Sequence, residues 1–218
     1  MTDIWDKYFS DPVDCVLKDE DAICQYINGY KLMAAVPWYT VDKVLIPINL
    51  KEKFHWILVI ISFMDRCLYI YDSYRSAGHD AYVNAEVQKY ADIIPFYLSI
   101  SDFYKKKDGI DWDNHPKYQD KAQNDPFDVC FVDNLPKQEP GSMDCGIYMA
   151  AYAEHFTGGQ VIPDVMLNVE LIRNRFAALI WDYGELKIEA DAMSDNEAPP
   201  KMIKSRIECD NIDLINLS

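Results

Sequence analysis

The sequence lacks the patterns that mark several common protein classes. None of its six cysteines stands in a CxxC pair, and no Cys/His cluster has the spacing of zinc ligands, so we predict no metal and no other cofactor. No apolar run reaches the roughly 18 residues of a membrane span, and segment 1–14 carries no apolar signal-peptide core. We therefore expect free thiols in a reducing, intracellular setting.

Positive charge is also scarce. Lys and Arg number 21 against 36 Asp and Glu, which gives a formal net charge of -15. Nucleic-acid binding needs a concentrated basic face, and the run Lys105–Lys107 is short and typical of a solvated helix end. We therefore predict that nucleic acid is not a partner. Because no membrane span is found, we expect no membrane partner either, and we expect a monomer.

The composition indicates one folded domain with tails. The chain has 218 residues, of which 50% are hydrophobic and 13% aromatic, enough to bury a substantial core. Residues 1–20 have weak periodicity and are interpreted as a lead-in segment. From Lys187 the chain is polar and contains Pro199–Pro200, so residues 187–218 are expected to form a flexible acidic tail. The domain proper is expected at 21–186.

The hydrophobic pattern predicts an α+β fold with a central sheet flanked by helices. Phe54–Phe63 is nearly continuous in apolar residues, as in a central strand covered on both faces. Met64–Arg66 predicts a turn and Cys67–Asp72 an antiparallel neighbour, while Asp80–Ile94 predicts a helix that Pro95 interrupts. The remaining predicted elements are helices at 22–33, 101–107, 145–156 and 165–181, and strands at 43–49, ending near Pro47, and at 127–132.

Cys145 is the first candidate functional residue. It follows the loop 134–144 and opens an apolar helix, where the positive end of the helix dipole favours a thiolate. Backbone N–H groups of that loop could face a developing oxyanion, and Gly146 would allow close approach of another backbone. Taken alone, Cys145 is more typical of a small apolar residue at the start of a buried helix.

Three further side chains are candidates to act with this thiol. His55 begins the central strand and Asp72 ends the next one, so a hairpin would place both at the same open end. A carboxylate there holds an imidazole in the useful tautomer. Gln138, seven positions before Cys145, has an amide that could donate to an oxyanion. Singly, each is more typical of a structural residue.

Together these residues match one known family. The order His, Asp, Gln, Cys resembles the ubiquitin-like-protein-specific cysteine proteases of the SUMO or sentrin type, and most closely their plant-expanded branch. Papain differs, because its Cys comes first. The segments that carry the resemblance are Ile46–Leu50, His55–Trp56, Tyr71–Ser73, Leu135–Gln138 and Asp144–Tyr148. The resemblance implies a fold of the papain-like cysteine protease superfamily.

The resemblance also implies roles for the four catalytic candidates. Cys145 would be the nucleophile, His55 the general base, Asp72 the residue that orients it and Gln138 the oxyanion donor. The reaction would be acyl transfer through a thioester, followed by hydrolysis. The implied partners are SUMO or another ubiquitin-like modifier and its conjugates, met in the nucleus or the cytoplasm, during maturation or deconjugation.

Substrate contacts are implied for three more residues. Trp56 would cover a narrow channel that holds the modifier's Gly-Gly tail, with Asp144 and Gly146 beside it. Such a channel admits only residues without side chains, so specificity would come from steric exclusion.

Two departures from the family pattern leave alternatives open. In the best-known members the Gln stands six positions before Cys, where this chain has Glu139, which cannot donate; we therefore assign the role to Gln138 and expect a one-residue bulge near Pro140. The family's N-terminal Trp-Leu-Asn-Asp segment is not found. A catalytically weak or inactive modifier-binding module is the main alternative, and an acetyltransferase with the same Cys/His/acid layout is a weaker one.

The other histidines show no functional pattern. His79 and His115 are predicted in loops and His155 near a helix C-terminus, and none of them has a paired metal ligand in the sequence.

Overall fold

The structure, a computed structural model, describes residues 22–30 and 36–190. Its centre is a four-stranded mixed sheet in the order β1-β2-β3-β4. β1, β2 and β3 pair antiparallel, and β4 adds to β3 in parallel. The predicted α+β class with a central mixed sheet is confirmed. The strands are β1 (Lys43–Leu50), β2 (His55–Ser62), β3 (Cys67–Tyr71) and β4 (Asp128–Phe131).

Helices precede, separate and follow these strands in the predicted order. They are α1 (Ala22–Ile27), α2 (Ala77–Ile100), α3 (Phe103–Lys106), α4 (Cys145–Thr157) and α5 (Val169–Glu189), with 3₁₀ turns at Trp38–Thr40 and Lys51–Lys53.

β2 is the covered central strand that its apolar run predicts. Successive side chains of a strand point to opposite faces. Ile57, Val59 and Ile61 join the core cluster that contains the buried side of α2. Leu58 and Ile60 join a second cluster on the other face, with two tyrosines of α4. Because all five side chains are at most 1% exposed, β2 is held from both faces.

Two proline predictions are wrong. β1 continues through Pro47 to Leu50, because β1 is an edge strand and an edge tolerates a missing N–H donor. α2 continues through Pro95 to Ile100. A proline inside a helix leaves the carbonyl four residues earlier without its donor. Here the Phe127 N–H donates to the Ala91 carbonyl at 3.1 Å and satisfies it.

The end of the described chain belongs to α5, which passes the predicted end at Trp181 and stops at Glu189. Of the described residues, those up to Ala178 belong to one compact unit, and residues 179–190, which complete the helix, belong to a second. The division into lead-in 1–20, domain 21–186 and tail 187–218 stays a prediction, because 1–21 and 191–218 lie outside the described residues. None of the helices in the described ranges is long and apolar enough to cross a membrane.

Candidate active site

His55 and Asp72 meet where the β2–β3 hairpin opens. The hairpin pairs Ser62 with Cys67 next to its turn and Leu58 with Tyr71 at its open end. The residues just beyond the Leu58–Tyr71 pair therefore lie together at that open end. His55 Nε2 lies 2.7 Å from Asp72 Oδ1, and both residues are buried. The hairpin therefore brings together the imidazole and the carboxylate that the sequence pattern paired.

The Asp72 carboxylate is stabilised in its ionised form. Burial raises its pKa, but hydrogen bonds from His55, the Tyr74 N–H and His79 together hold the pKa below its ordinary value. An ionised carboxylate only accepts hydrogen bonds. His55 Nε2 therefore carries the proton that it donates to Asp72, and Nδ1 is the ring nitrogen left to exchange a proton with another group.

Cys145 is the first residue of α4 and is 6% exposed. Its Sγ lies 4.0 Å from the carbonyl oxygen of Phe54, the residue directly before His55. Phe54 is 87% exposed, and its φ of 50° places it in the left-handed conformation. This conformation is uncommon for a non-glycine residue, and such residues cluster at functional sites. The thiol thus lies at the end of β2 from which the imidazole projects.

Gln138 is hydrogen-bonded to Ser73, the residue that follows Asp72. Its backbone N–H donates to the Ser73 carbonyl at 3.0 Å, and its Oε1 accepts from Ser73 Oγ at 2.8 Å. Its Nε2 donates to the Ser142 carbonyl at 3.0 Å. Since an amide nitrogen carries two N–H groups, the second can donate to a substrate.

A β-turn takes up the extra residue between Gln138 and Cys145. The Ser142 N–H donates to the Glu139 carbonyl at 3.0 Å. Pro140 is the second residue of this turn and Gly141, with φ 81°, the third, the pattern of a type II turn. The Glu139 side chain is exposed, so the amide, and not the carboxylate, is anchored inside the loop.

Two tyrosines of α4 hold the backbone before Gln138. Tyr152 donates its hydroxyl to the Pro136 carbonyl, and Tyr148 donates to the Lys137 carbonyl at 3.0 Å. Burial raises the pKa of both phenols, so they donate as neutral hydroxyls. Roles for these tyrosines and for Ser73 were not predicted from the sequence. The signal of the tyrosines is a pair of them on the buried face of the helix.

The structure gives the three predicted substrate-contact residues different surroundings. A Cβ added at Gly146 would lie 3.8 Å from Cδ1 of Trp56, which is 37% exposed, so these two positions are adjacent. Asp144 Oδ1 accepts from Arg173 Nη2 at 2.7 Å. The roles of Trp56, Gly146 and Asp144 toward a substrate stay predictions.

The prediction that His79 lies in a loop is wrong. This histidine lies in the first turn of α2, and its Nε2 lies 2.8 Å from Asp72 Oδ2. Among the residues that the structure describes, His55, Asp72 and His79 form a group of three potential metal ligands, with donor atoms within 4.8 Å of one another. The prediction that His79 lacks a paired ligand is therefore wrong, although the contacts formed here are hydrogen bonds. The absence of a cofactor stays a prediction.

These features define a class of protein. An α+β domain with a thiol at the start of a buried helix, beside a His–Asp pair at the end of a central strand, has the layout of the papain-like cysteine peptidases. The family model for the C-terminal catalytic domain of the Ulp1 protease family matches residues 8–185. The chain belongs to the Ulp1 protease family. Its assignment to a plant-type branch stays a prediction.

Similar solved structures include SUMO protease Ulp1 with its catalytic cysteine oxidised to a sulfenic acid, with 24% identity and a TM-score of 0.40 over 62% of this chain and 50% of that one. Another is the C-terminal Ulp1 protease domain in complex with Smt3, the yeast ortholog of SUMO, with 23% identity and a TM-score of 0.34 over 56% of this chain and 44% of that one. The chain thus spans about half of each of these two structures. No curated protein sequence matches it.

Proposed function

We propose that this domain is a cysteine peptidase or isopeptidase that cleaves after the C-terminal Gly-Gly of a SUMO-like or related ubiquitin-like modifier. The observation that carries the proposal is the contact of His55 Nε2 with Asp72 Oδ1 at 2.7 Å, at the strand end where the Cys145 thiol lies. Membership of the Ulp1 protease family supports the same reaction.

The contacts at His55 support the following first step. Nδ1 of His55 takes the proton of the Cys145 thiol, and the thiolate attacks the carbonyl carbon of the modifier's last glycine. Asp72 stabilises the positive charge that develops on the ring. The protonated Nδ1 then gives its proton to the leaving amine, and a thioester joins the modifier to Sγ.

Hydrolysis returns the enzyme to its starting state. Water attacks the thioester carbonyl and gives its proton to His55 Nδ1. The tetrahedral intermediate collapses, the thiol leaves with a proton from the ring, and the modifier ends in a free glycine carboxylate.

Two N–H donors are proposed for the oxyanion of both steps. The first residue of a helix has no earlier helical carbonyl to bind, so the Cys145 N–H is available to the substrate. The free N–H of the Gln138 amide is the second donor. Removing one such donor ordinarily costs about 10²–10³ in rate.

Glycine specificity is proposed to come from Trp56. Its exposed ring lies beside Gly146, and a tail threaded between ring and helix start would have no room for side chains. The predicted non-catalytic binding module has no observation in its favour, because Gln138 is anchored in spite of its shifted position. We also propose that the domain acts as a monomer, in the nucleus or the cytoplasm, and without a metal.

Cleavage of a modifier precursor tests the proposal. The substrate is a SUMO precursor that continues beyond Gly-Gly, and its matched control carries Ala in place of the first glycine. We expect cleavage after Gly-Gly by the wild type, none by Cys145→Ala and none of the control substrate. Equal cleavage by Cys145→Ala, or equal cleavage of the two substrates, would reject it.

A further inference from the structure

The Asp72 carboxylate is held at both of its oxygens. Oδ1 accepts from His55 Nε2 at 2.7 Å and from the Tyr74 N–H at 2.9 Å. Oδ2 accepts from His79 Nε2 at 2.8 Å. The side chain of Asp72 is 0% exposed, so its oxygens depend on protein donors. His79 therefore completes the hydrogen bonding of the second oxygen.

Packing fixes the His79 ring in this position. Its side chain is 9% exposed. The ring makes edge contacts with the rings of His55 and Tyr74, whose centroids are 4.9 Å and 5.0 Å from its own. Its backbone belongs to the first turn of a long helix. Such a ring has little freedom to leave the carboxylate.

We propose that His79 is a positioning residue of the catalytic site, which acts through Asp72 to hold His55 in the orientation and tautomer that receive the Cys145 proton. The inference rests on the proposed function, since it assigns a role in that same reaction.

The physical reason is the rotation of the carboxylate. A carboxylate held at one oxygen can rotate about its Cβ–Cγ bond, and this rotation turns the lone pairs of Oδ1 away from His55. The bond from His79 to Oδ2 opposes that rotation. Because effective catalysis depends on reacting groups held in a near-attack arrangement, a small reorientation has a large effect on rate.

The Arg75 guanidinium is engaged elsewhere and does not replace His79. Arg75, Asp133 and Lys137 line a cavity of about 180 Å³ that Asp72 borders. The Arg75 guanidinium donates to Asp80 Oδ2 at 3.0 Å and lies 3.5 Å from Asp133. Without His79, Asp72 Oδ2 therefore does not gain Arg75 as a pre-placed donor.

Two substitutions at one position separate positioning from packing. In His79→Gln the amide nitrogen occupies roughly the place of Nε2 and can still donate, whereas His79→Phe fills the space without a donor. His115→Gln is the matched control, since His115 lies in a loop outside the site. We expect His79→Phe to lower kcat about 10-fold with KM unchanged, and His79→Gln and His115→Gln to stay within about 2-fold of wild type, on the precursor cleavage assay.

A second readout does not depend on peptidase activity. The rate of Cys145 alkylation by iodoacetamide reports the thiolate that His55 supports. At pH 6 we expect the rate to fall several-fold in His79→Phe and to remain near wild type in His79→Gln. If the wild type cleaves no modifier, the proposed function fails while alkylation still tests His79. The inference would be overturned if His79→Phe were alkylated at the wild-type rate, or if the alkylation rate fell equally in His79→Phe and His79→Gln.

Discussion

The two halves of the candidate site are built in different ways. His55 and Asp72 are carried by a hairpin whose register is set by β2, which is buried on both faces. Gln138 is carried by a loop whose conformation depends on side-chain hydrogen bonds from Ser73, Tyr148 and Tyr152. The acid–base half is therefore specified by strand pairing, and the oxyanion half by single contacts.

This difference makes the oxyanion half the easier one to disturb without unfolding the protein. A change in the hairpin core alters the sheet itself, whereas the loss of one hydroxyl loosens only the loop. The predictions that follow test the two halves in turn, from the largest expected effect to the smallest.

The largest effect among these variants is expected in the acid–base half. Asp72→Asn keeps the shape of the side chain but presents an amide to His55, so the useful tautomer is no longer favoured. We expect kcat to fall roughly 10³–10⁴-fold, the scale seen when such an orienting carboxylate is replaced, measured as cleavage of a modifier precursor. Asp133→Asn, at an exposed aspartate nearby, is the control and should retain wild-type activity. A loss of kcat below 10-fold in Asp72→Asn would show that His55 does not depend on the carboxylate that the hairpin places beside it.

A smaller effect is expected in the oxyanion half. Gln138→Ala removes one donor, and we expect a loss of about 10²–10³ in kcat. Its matched control is the neighbouring Glu139→Ala, which should stay near wild type because the Glu139 side chain is exposed. A large loss in Glu139→Ala with little change in Gln138→Ala would reverse the assignment of the loop.

Removal of a loop anchor should produce a milder loss. Tyr152→Phe deletes the hydroxyl that holds the Pro136 carbonyl. We expect about 1 kcal/mol less free energy of unfolding, the usual contribution of such a bond, and roughly 10-fold lower kcat from a displaced Gln138. Urea denaturation and steady-state kinetics measure the two quantities. Tyr26→Phe, at an exposed tyrosine, is the control; equal kinetics in both variants would show that the loop does not need its anchor.

The smallest effect concerns stability in acid. The folded-state pKa of Asp72 lies below its ordinary value of 3.8, so its ionised form contributes stability that is complete above the unfolded-state pKa and is lost as pH falls through the folded one. We expect the gap in free energy of unfolding between wild type and Asp72→Asn to narrow from pH 7 to pH 3, by urea denaturation. A constant gap would show that the carboxylate's charge does not contribute.

The same contrast explains what the sequence could predict. β2, the β2–β3 hairpin and the helix that starts at Cys145 follow from local patterns, and so does the meeting of His55 and Asp72. The passage of α2 through Pro95 does not, because the compensating donor, Phe127, comes from a distant part of the chain. His79 was missed for a different reason, since the helix containing it begins at Ala77, earlier than its apolar pattern indicates.

Tyr148 and Tyr152 show another limit of sequence reasoning. Their burial on an apolar helix face is predictable, but the carbonyls that their hydroxyls bind belong to a loop without periodicity. Side-chain contacts to irregular backbone leave no repeating pattern in a sequence. For the oxyanion half, the sequence could therefore indicate which residue types take part, but not the contacts that they make.

Covalent labelling of Cys145 tests the central claim most directly. SUMO, ubiquitin and a third ubiquitin-like modifier, each with an electrophile in place of the C-terminal carboxylate, are incubated with wild type and with Cys145→Ala, and the adducts are mapped by mass spectrometry. We expect one adduct per chain on Cys145 with the SUMO probe, and none on Cys145→Ala. A folded wild-type protein that no probe labels, or an adduct on another residue, would contradict it.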